Sequence, residues 1–598
     1  AYPVTHAPAF CIDRARHHYT FSILGNDAPL FTKPVNEPDP LHVADEMNVP
    51  APIRRRALEE RTADYYGKGK SFLIWRDAAD RPVPIDNIVV ADLSRWAYRP
   101  HGEQVAIDPW LGRIAFPPRA EPKTGVWVTY HYGFSADIGG GEYERPLRAP
   151  QSAVLRRPSA AAAPPPARAA SPQPPGAASP TRPHVYLVSE QHGGQLYFES
   201  LSRALDAWRG DDPQEAVIQI EDSGAYVEPV EIRLRWNQRL EIRAADGARP
   251  VIRLLDRHTN RPDSLGIYGP EPEADGQEEE PRYEVHTQGE APDEERPRDF
   301  GEPGEAGHLD GQPLSAVRFE QAGIKAEPAP AGGGPRLAPR LVLDGLHVVG
   351  RGVQIVGHLF EVLIRHCTLI PGWSLDTDSY PESETEPSIE LTDTSARLRV
   401  EHSIVGSIRV NENAVAEEPL DIEISDSVLD ATRPHLMALS GPDEAHAHAS
   451  ARIVRCTVFG EVRTHALALA ENSIFEGAVR VARTQIGCVR FCYLPPGSRT
   501  PRRYNCQPDL AVSAAADADA REREEGRVRP RFTSVRYGTP AYCQLSETCA
   551  EEIKRGADDE SEMGVFHDLF QPQREANLRA RLDEYTPAGM DAGLIFTT

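Results

Sequence analysis

Apolar residues in the middle of the chain recur at every second position. Ile218 and Ile220, Ile232 and Leu234, and Leu240 and Ile242 each flank a polar or charged neighbour, and Val251 follows. Alternation sends successive side chains to opposite faces of a strand, so each segment predicts a strand with one buried stripe. Downstream the pattern becomes a phrase: a strand, a small or polar residue, then two apolar residues. The copies read LVLDGLHVVG, VLIRHCTLIPG, LRVEHSIVG, IEISDSVLDA, ARIVRCTVFG, LALAENSIFEG and GCVRFCYLPPG. Aligned on Val348, Leu369, Ile404, Val428, Val458, Ile474 and Tyr493, they are spaced by 21, 35, 24, 30, 16 and 19 residues. Such a period predicts a solenoid, in which each coil buries its apolar stripe only by stacking on its neighbours. The longer intervals predict loops inserted at coil corners, at 373–387 and 433–449. A β-sandwich would space its strands by roughly 8–12 residues and would not repeat the phrase.

The flanking segments follow different patterns. Phe198, Leu201, Ala204, Leu205 and Trp208 share one face of a short predicted helix, suited to covering the open end of a coil stack. Residues 1–148 predict a small β-rich N-terminal domain, with a helix over 52–66 stopped by Gly67. Its strands are expected at 71–75, 87–90, 105–107, 113–116 and 126–130, and Asp108–Gly112 forms a hairpin turn. Residues 149–183 are Pro, Ala and Ser-rich without apolar periodicity, which predicts a tether. The solenoid is then expected over 184–497, interrupted by an acidic insertion at 258–339. Residues 498–598 form a small C-terminal cap or docking segment, with a helix at 575–585 and a short strand at 593–596.

Charge narrows the function classes. The net charge is −25, but residues 271–305 hold fourteen acidic residues against three Arg, so this segment supplies eleven of those charges. A nucleic-acid binder needs a basic face to displace counterions, so no nucleic-acid partner is expected. No run of eighteen apolar residues is present, which predicts no membrane span. The opening residues show no basic stretch followed by an apolar one, so no signal peptide is expected. The eight cysteines leave disulfides open; Cys367 and Cys456 fall within strand patterns and read as small buried hydrophobes.

The segment AVIQIEDSGAYVEPVEIRL, the helix before it and the repeated phrases resemble the pectin-lyase-like superfamily over about half the chain. The resemblance implies a right-handed parallel β-helix, mainly β in class, of a kind that serves polysaccharide lyases, glycoside hydrolases, tailspikes and adhesins. The segments IDPWLGRIAF and VTYHYGFSADIGGG are similar to parts of uncharacterised proteins of phage-tail-like particles.

Candidate chemistry is sparse. Asp376, Asp378 and Glu382, in LDTDSYPESETE, place carboxylates where calcium could be held, since hard oxygen ligands suit that ion. Trp373 and Tyr380 beside them are candidates for stacking on sugar rings. Asp421 and Glu423, two apart on one strand, share a face, and Asp426 follows near a corner. The Asn-Thr-Asp and Gly-His-Gly phrases of polygalacturonases are absent, and no catalytic set is assigned. Gly139-Gly140-Gly141 lacks the strand-to-helix context of a dinucleotide site, and no cofactor is expected. The expected function is therefore a noncatalytic structural or adhesive β-helix, tailspike-like or surface-fibre-like. Its expected partners are other subunits of a larger assembly and a surface polysaccharide. The alternative is a polysaccharide lyase or glycoside hydrolase.

Overall fold

The computed structural model describes residues 1–37, 44–77, 81–118, 121–145, 154–156, 183–191, 196–256, 259, 261–271, 336–411 and 418–594. Most of the expected tether and of the acidic insertion lies outside them. Residues 1–270 and 338–598 form one compact unit.

Parallel strands stack in this unit as a β-solenoid, with strand positions on three successive faces of each coil. The first face runs through Glu215–Ile220, Arg239–Ala244, Arg340–Asp344, Glu361–Arg365, Arg397–Glu401 and Leu420–Ser425, each parallel to the next. The second face is shorter, from Ala225–Val227 through His347–Val349 and Val428–Asp430 to Ile474–Phe475. The third runs from Glu231–Arg233 through Val353–Gly357, Ile389–Thr394 and Met437–Ser440 to Val479–Val481. Inward side chains from all three faces form one continuous core, including Ile242, Val348, Ile355, Leu429 and Phe475. The helix Leu201–Asp211 turns Leu201, Ala204, Leu205 and Trp208 into that core, as its periodicity predicts. The stack begins earlier than expected, because Val154–Arg156 pairs in parallel with His184–Val188.

The corner between the first and second faces explains the repeated phrase. One residue per coil takes the left-handed conformation there: His366, His402, Asp426, Arg455, Asn472, Phe491 and Asn505, with φ between 47° and 51°. The next residue is always small and buried: Cys367, Ser403, Ser427, Cys456, Ser473, Cys492 and Cys506. Left-handed backbone at non-glycine residues costs on the order of 1–3 kcal/mol each, so it persists only where neighbours enforce it. The small side chains supply that enforcement. The Cys367 N–H donates to Ser403 Oγ (3.1 Å), the Ser403 N–H to Ser427 Oγ (3.0 Å) and the Cys456 N–H to Ser473 Oγ (3.0 Å). Each hydroxyl in turn donates to the carbonyl two residues back, as Ser427 does to Ser425 O at 2.6 Å. Corner amides that the strand ladders leave over are thus satisfied from the next coil.

This corner corrects the alignment of the phrases. The residue two beyond each left-handed position starts the second face and points outward: Thr368, Ile404, Val428, Thr457, Ile474 and Tyr493. His347 holds the same place after Gly345. Val348, Leu369 and Val458 had been aligned one residue late, because matching apolar with apolar passed over His347, Thr368 and Thr457. Val348, Leu369 and Val458 point into the core.

Both chain ends lie along the outer side of the second face. The N-terminal region holds a five-stranded sheet and a three-stranded sheet around its own core. Its predicted single helix is two short ones, Arg55–Glu60 and Thr62–Tyr65, broken at Arg61. Residues 134–145 then cross the second face. The Gly139 N–H donates to His402 O (2.8 Å) and the Gly140 N–H to Thr368 Oγ1 (3.0 Å). A Cβ at Gly139 would meet Thr368 Oγ1 at 2.4 Å, and one at Gly140 would meet His347 Nδ1 at 2.7 Å. The glycine run is therefore a close-approach strap. The C-terminal segment is a docking tail on this face: Phe532, Tyr537, Tyr542 and Phe566 pack with Ile404, Val428 and Phe459. Its polar stretch contains the helices Asp509–Ala514 and Ala518–Arg527, and Gln571–Tyr585 covers the predicted helix. Gly593 and Leu594 are not in a strand; 595–596 lie outside the described residues.

Removing one corner acceptor should be felt by the whole stack. Ser427→Ala leaves the Ser403 N–H without its partner inside the core, and a loss of about 1–3 kcal/mol is expected. Ser427→Cys keeps an acceptor and should cost less. Urea unfolding of the full chain checks both; an unchanged midpoint for Ser427→Ala would count against the ladder.

Candidate functional site

The residues singled out for ligand binding lie on the loop between the second and third faces of one coil. Asp376 Oδ1 accepts from the N–H groups of Asp378 (2.9 Å) and Tyr380 (2.8 Å), so this carboxylate closes its own turn. Ser374 donates to Glu382. Asp376, Asp378 and Glu382 do not converge as three ligand atoms around one point. Trp373 is half-buried, donates from Nε1 to Pro387 O (3.3 Å) and lies under the Arg351 guanidinium. Tyr380 stacks with Arg536 of the C-terminal tail, whose centre is 4.8 Å from the ring. The N-terminal region also sits on this loop, with Asn26 Nδ2 donating to Ser379 Oγ (2.9 Å) and the Asp27 N–H to Thr377 O (2.7 Å). The loop is where both chain ends are fastened.

A cluster of perturbed groups lies where strap, tail and second face meet. Tyr132 Oη donates to Glu142 Oε2 (3.0 Å), Arg249 lies over the Tyr132 ring, and His347 Nε2 is 2.8 Å from Tyr537 Oη. Desolvation pushes the Glu142 carboxyl up to about 7. Burial, helped by the neighbouring Arg249, holds His347 well below its ordinary value. Perturbed groups of this kind are common at active sites, but volume decides against that role here. The cavity among them is about 50 Å³, room for a few waters, whereas small-molecule sites run from about 300 Å³ upward.

On the first face, charged side chains neutralise one another from coil to coil. Arg340 pairs with Glu361, Glu361 with Arg399, and Arg399 with Glu423. Arg397 pairs with Asp421 at 3.0 Å. Asp426 takes a two-point contact from Arg455, at 2.5 and 2.8 Å. The three acidic residues weighed as hydrolase candidates are thus all held by arginines.

A larger opening lies on the third face. It measures about 390 Å³ and is lined by Glu384, Ser407, Arg409, Asn411, Met437 and Glu444, among others. Coil geometry produces it. The coil of Ile404–Val405 and Ile408–Val410 turns between faces through only Gly406 and Ser407. The preceding coil carries 373–387 at this corner, and the following coil carries 431–436. A short coil between two long ones leaves a notch. Polar groups line it in fixed positions: Asn411 Nδ2 donates to Thr392 Oγ1 (2.8 Å), and Glu444 pairs with Arg463 at 3.3 Å. Arg433, 2.7 Å away, holds the Glu384 carboxyl below its ordinary value, so it is ionised at neutral pH and is no general acid.

Arg409, Asn411 and Glu444 were not identified from sequence. Their only signal was in the spacings, where 24 sits between 35 and 30. Reading that as a notch requires knowing that both long intervals extend toward the same side.

Carboxylates buried under and within the C-terminal tail give a pH dependence. Burial raises Asp430, which accepts from Tyr542 Oη at 2.6 Å, to about 6, and raises Glu562 to about 8. Both values exceed the unfolded range of about 4–4.5, so the folded state retains protons that the unfolded state releases. Their contribution is fully present below about pH 4 and is lost as pH rises through 6 and 8. His347, kept neutral by burial, adds stability as pH rises to about 6.5, so the fall measured by urea unfolding is expected above that, between about pH 6.5 and 8. Glu562→Gln should flatten the upper part of that fall; stability rising over this range would contradict the assignment.

No protein-family model matches the chain, and the curated proteins and the solved structures hold no significant match to it.

Proposed function

We propose that this chain is a noncatalytic, glycan-binding β-helix of the tailspike or surface-fibre type, held by other subunits of a larger assembly. In this reading the solenoid is the right-handed, pectin-lyase-like kind. Parallel strands joined by crossovers take that hand in about 98% of cases. The observation that carries the proposal is the third-face notch. It is an opening of ligand size, and its lining of hydroxyl, amide, guanidinium and carboxylate groups suits sugar hydroxyls. Glu384 and Glu444 within it, and a net charge of −25, favour a neutral glycan over an anionic one. In this reading the N-terminal region would supply the attachment.

A lyase or hydrolase is the second reading, favoured by one observation: the Glu142 carboxyl at about 7, hydrogen-bonded to Tyr132 and influenced by Arg249. It requires the strap and tail to lift, because the present cavity admits no sugar ring.

Affinity electrophoresis against a panel of neutral and uronic-acid polysaccharides, with and without calcium, separates the two. Retardation by a neutral polymer is expected, with no new reducing ends and no ultraviolet absorbance from unsaturated products. Arg409→Ala with Asn411→Ala should weaken that binding at least tenfold at an unchanged melting temperature. Product formation abolished by Glu142→Gln would favour the enzyme instead, and binding indifferent to the double substitution would remove the notch from the account.

A further inference from the structure

The C-terminal tail carries a group of side chains that neither the corner ladder nor the notch uses. One atom each from Asp558, Asp559 and His567 lies within 4.8 Å of the other two. His567 is buried, with 7% of its surface exposed, while the two aspartates face solvent. Its ring orientation is fixed from behind. Nδ1 lies 2.9 Å from Asp568 Oδ1, and a carboxylate accepts only, so Nδ1 carries the proton. Nε2 is then left with a lone pair. That lone pair faces Asp559 Oδ1 at 3.3 Å and Asp558 Oδ1 at 3.7 Å, with the Asn472 amide nitrogen also 3.3 Å away.

The Asn472 amide donates toward both Nε2 and Asp558 Oδ1, but Asp559 Oδ1 faces the Nε2 lone pair at 3.3 Å with no donor between them, a contact that a positive charge would relieve. Two cations fit: a proton on Nε2, or a metal ion. The separations favour the metal. Bonds of about 2.0–2.1 Å to a four-coordinate ion put its ligands about 3.3–3.4 Å apart, close to the two observed distances. The carboxylate behind Nδ1 is the usual outer partner of a metal-bound histidine, since it fixes the tautomer and raises ring basicity. The aspartates are held as well. The Asp558 N–H donates to Asn472 Oδ1 (3.1 Å) and Asn472 Nδ2 donates to Asp558 Oδ1 (2.6 Å). Asp559 Oδ1 accepts from the N–H and hydroxyl of Ser561, at 3.0 and 2.5 Å.

We propose that Asp558, Asp559 and His567 bind a divalent transition metal of the zinc type, with a fourth position open to solvent. One nitrogen and two carboxylates suit such an ion better than calcium, which takes oxygen alone. The location gives the ion a role. Asn472 is a left-handed corner residue of the solenoid, and its carbonyl also accepts from the Gly564 N–H at 2.8 Å. An ion held here ties two turns of the tail together beside the Asn472 hydrogen bonds that join the tail to the coil stack, and so stiffens the cover over the second face.

Zinc titrated calorimetrically into the chelator-treated full chain tests this. One equivalent should bind at this site, with a rise in melting temperature and slower proteolysis after residue 530. Asp558→Asn and Asp559→Asn, both at exposed positions, should each lower the affinity at least tenfold while preserving the circular dichroism spectrum. Asp568→Asn, which removes the outer partner, should lower it by about ten to a hundredfold. No zinc uptake would overturn the proposal. Zinc uptake unchanged in both Asp558→Asn and Asp559→Asn would overturn it equally, by placing the ion elsewhere.

Discussion

Everything in this molecule depends on the corner between the first and second faces. In seven successive coils a left-handed residue followed by a buried Cys or Ser turns the chain at this corner. The corner also decides which residues face in and which face out. Strand side chains alternate, so a slip of one residue at a corner would send Val348 and Leu369 outward and His347 and Thr368 into the core. The hydroxyls and thiols that accept corner amides from neighbouring coils lock that phase. Their smallness matters as much as their polarity, since each sits where adjacent coils meet.

From that phase the rest of the architecture follows. Outward residues of the second face are mostly apolar or small, and the chain covers them with its own ends. Glycines at 139 and 140 let the strap approach the face at backbone distance. The tail adds Tyr542 and Phe566, and carboxylates are buried with it at Asp430 and Glu562. Those carboxylates are a cost of the cover that grows with pH. The first face needs no cover, because its arginines and carboxylates satisfy one another between coils. Individually such exposed pairs contribute little, roughly 0–1 kcal/mol, but together they leave few unpaired charges for a substrate to meet.

How much of this was legible in the sequence depended on whether the signal was periodic. The parallel β-solenoid and the helix at its start were visible, because alternation and a recurring phrase report burial directly. The phase of the second face was not, since His347, Thr368 and Thr457 occupy positions where other coils carry Ile or Val. The loop at 373–387 was correctly placed at a corner. Its aromatic and acidic residues suggested a ligand, whereas in the structure Trp373, Asp376 and Tyr380 are engaged in turn closure and packing. Residues brought together across coils, such as Arg409 with Glu384, or Asn472 with Asp558 and His567, leave no local signature. Their sequence separations are set by loop lengths that composition does not constrain.

The central claim is that the third-face notch, and neither the first face nor the covered junction, is where this protein meets its ligand. Hydrogen–deuterium exchange on the full chain, with and without the oligosaccharide that binds best, tests it most directly. The account predicts added protection confined to residues 384–385, 407–411 and 436–444, with the strap at 134–145 and the tail at 530–567 unchanged. Protection appearing instead along 361–365, 397–401 and 420–425, or release of the strap on binding, would contradict it.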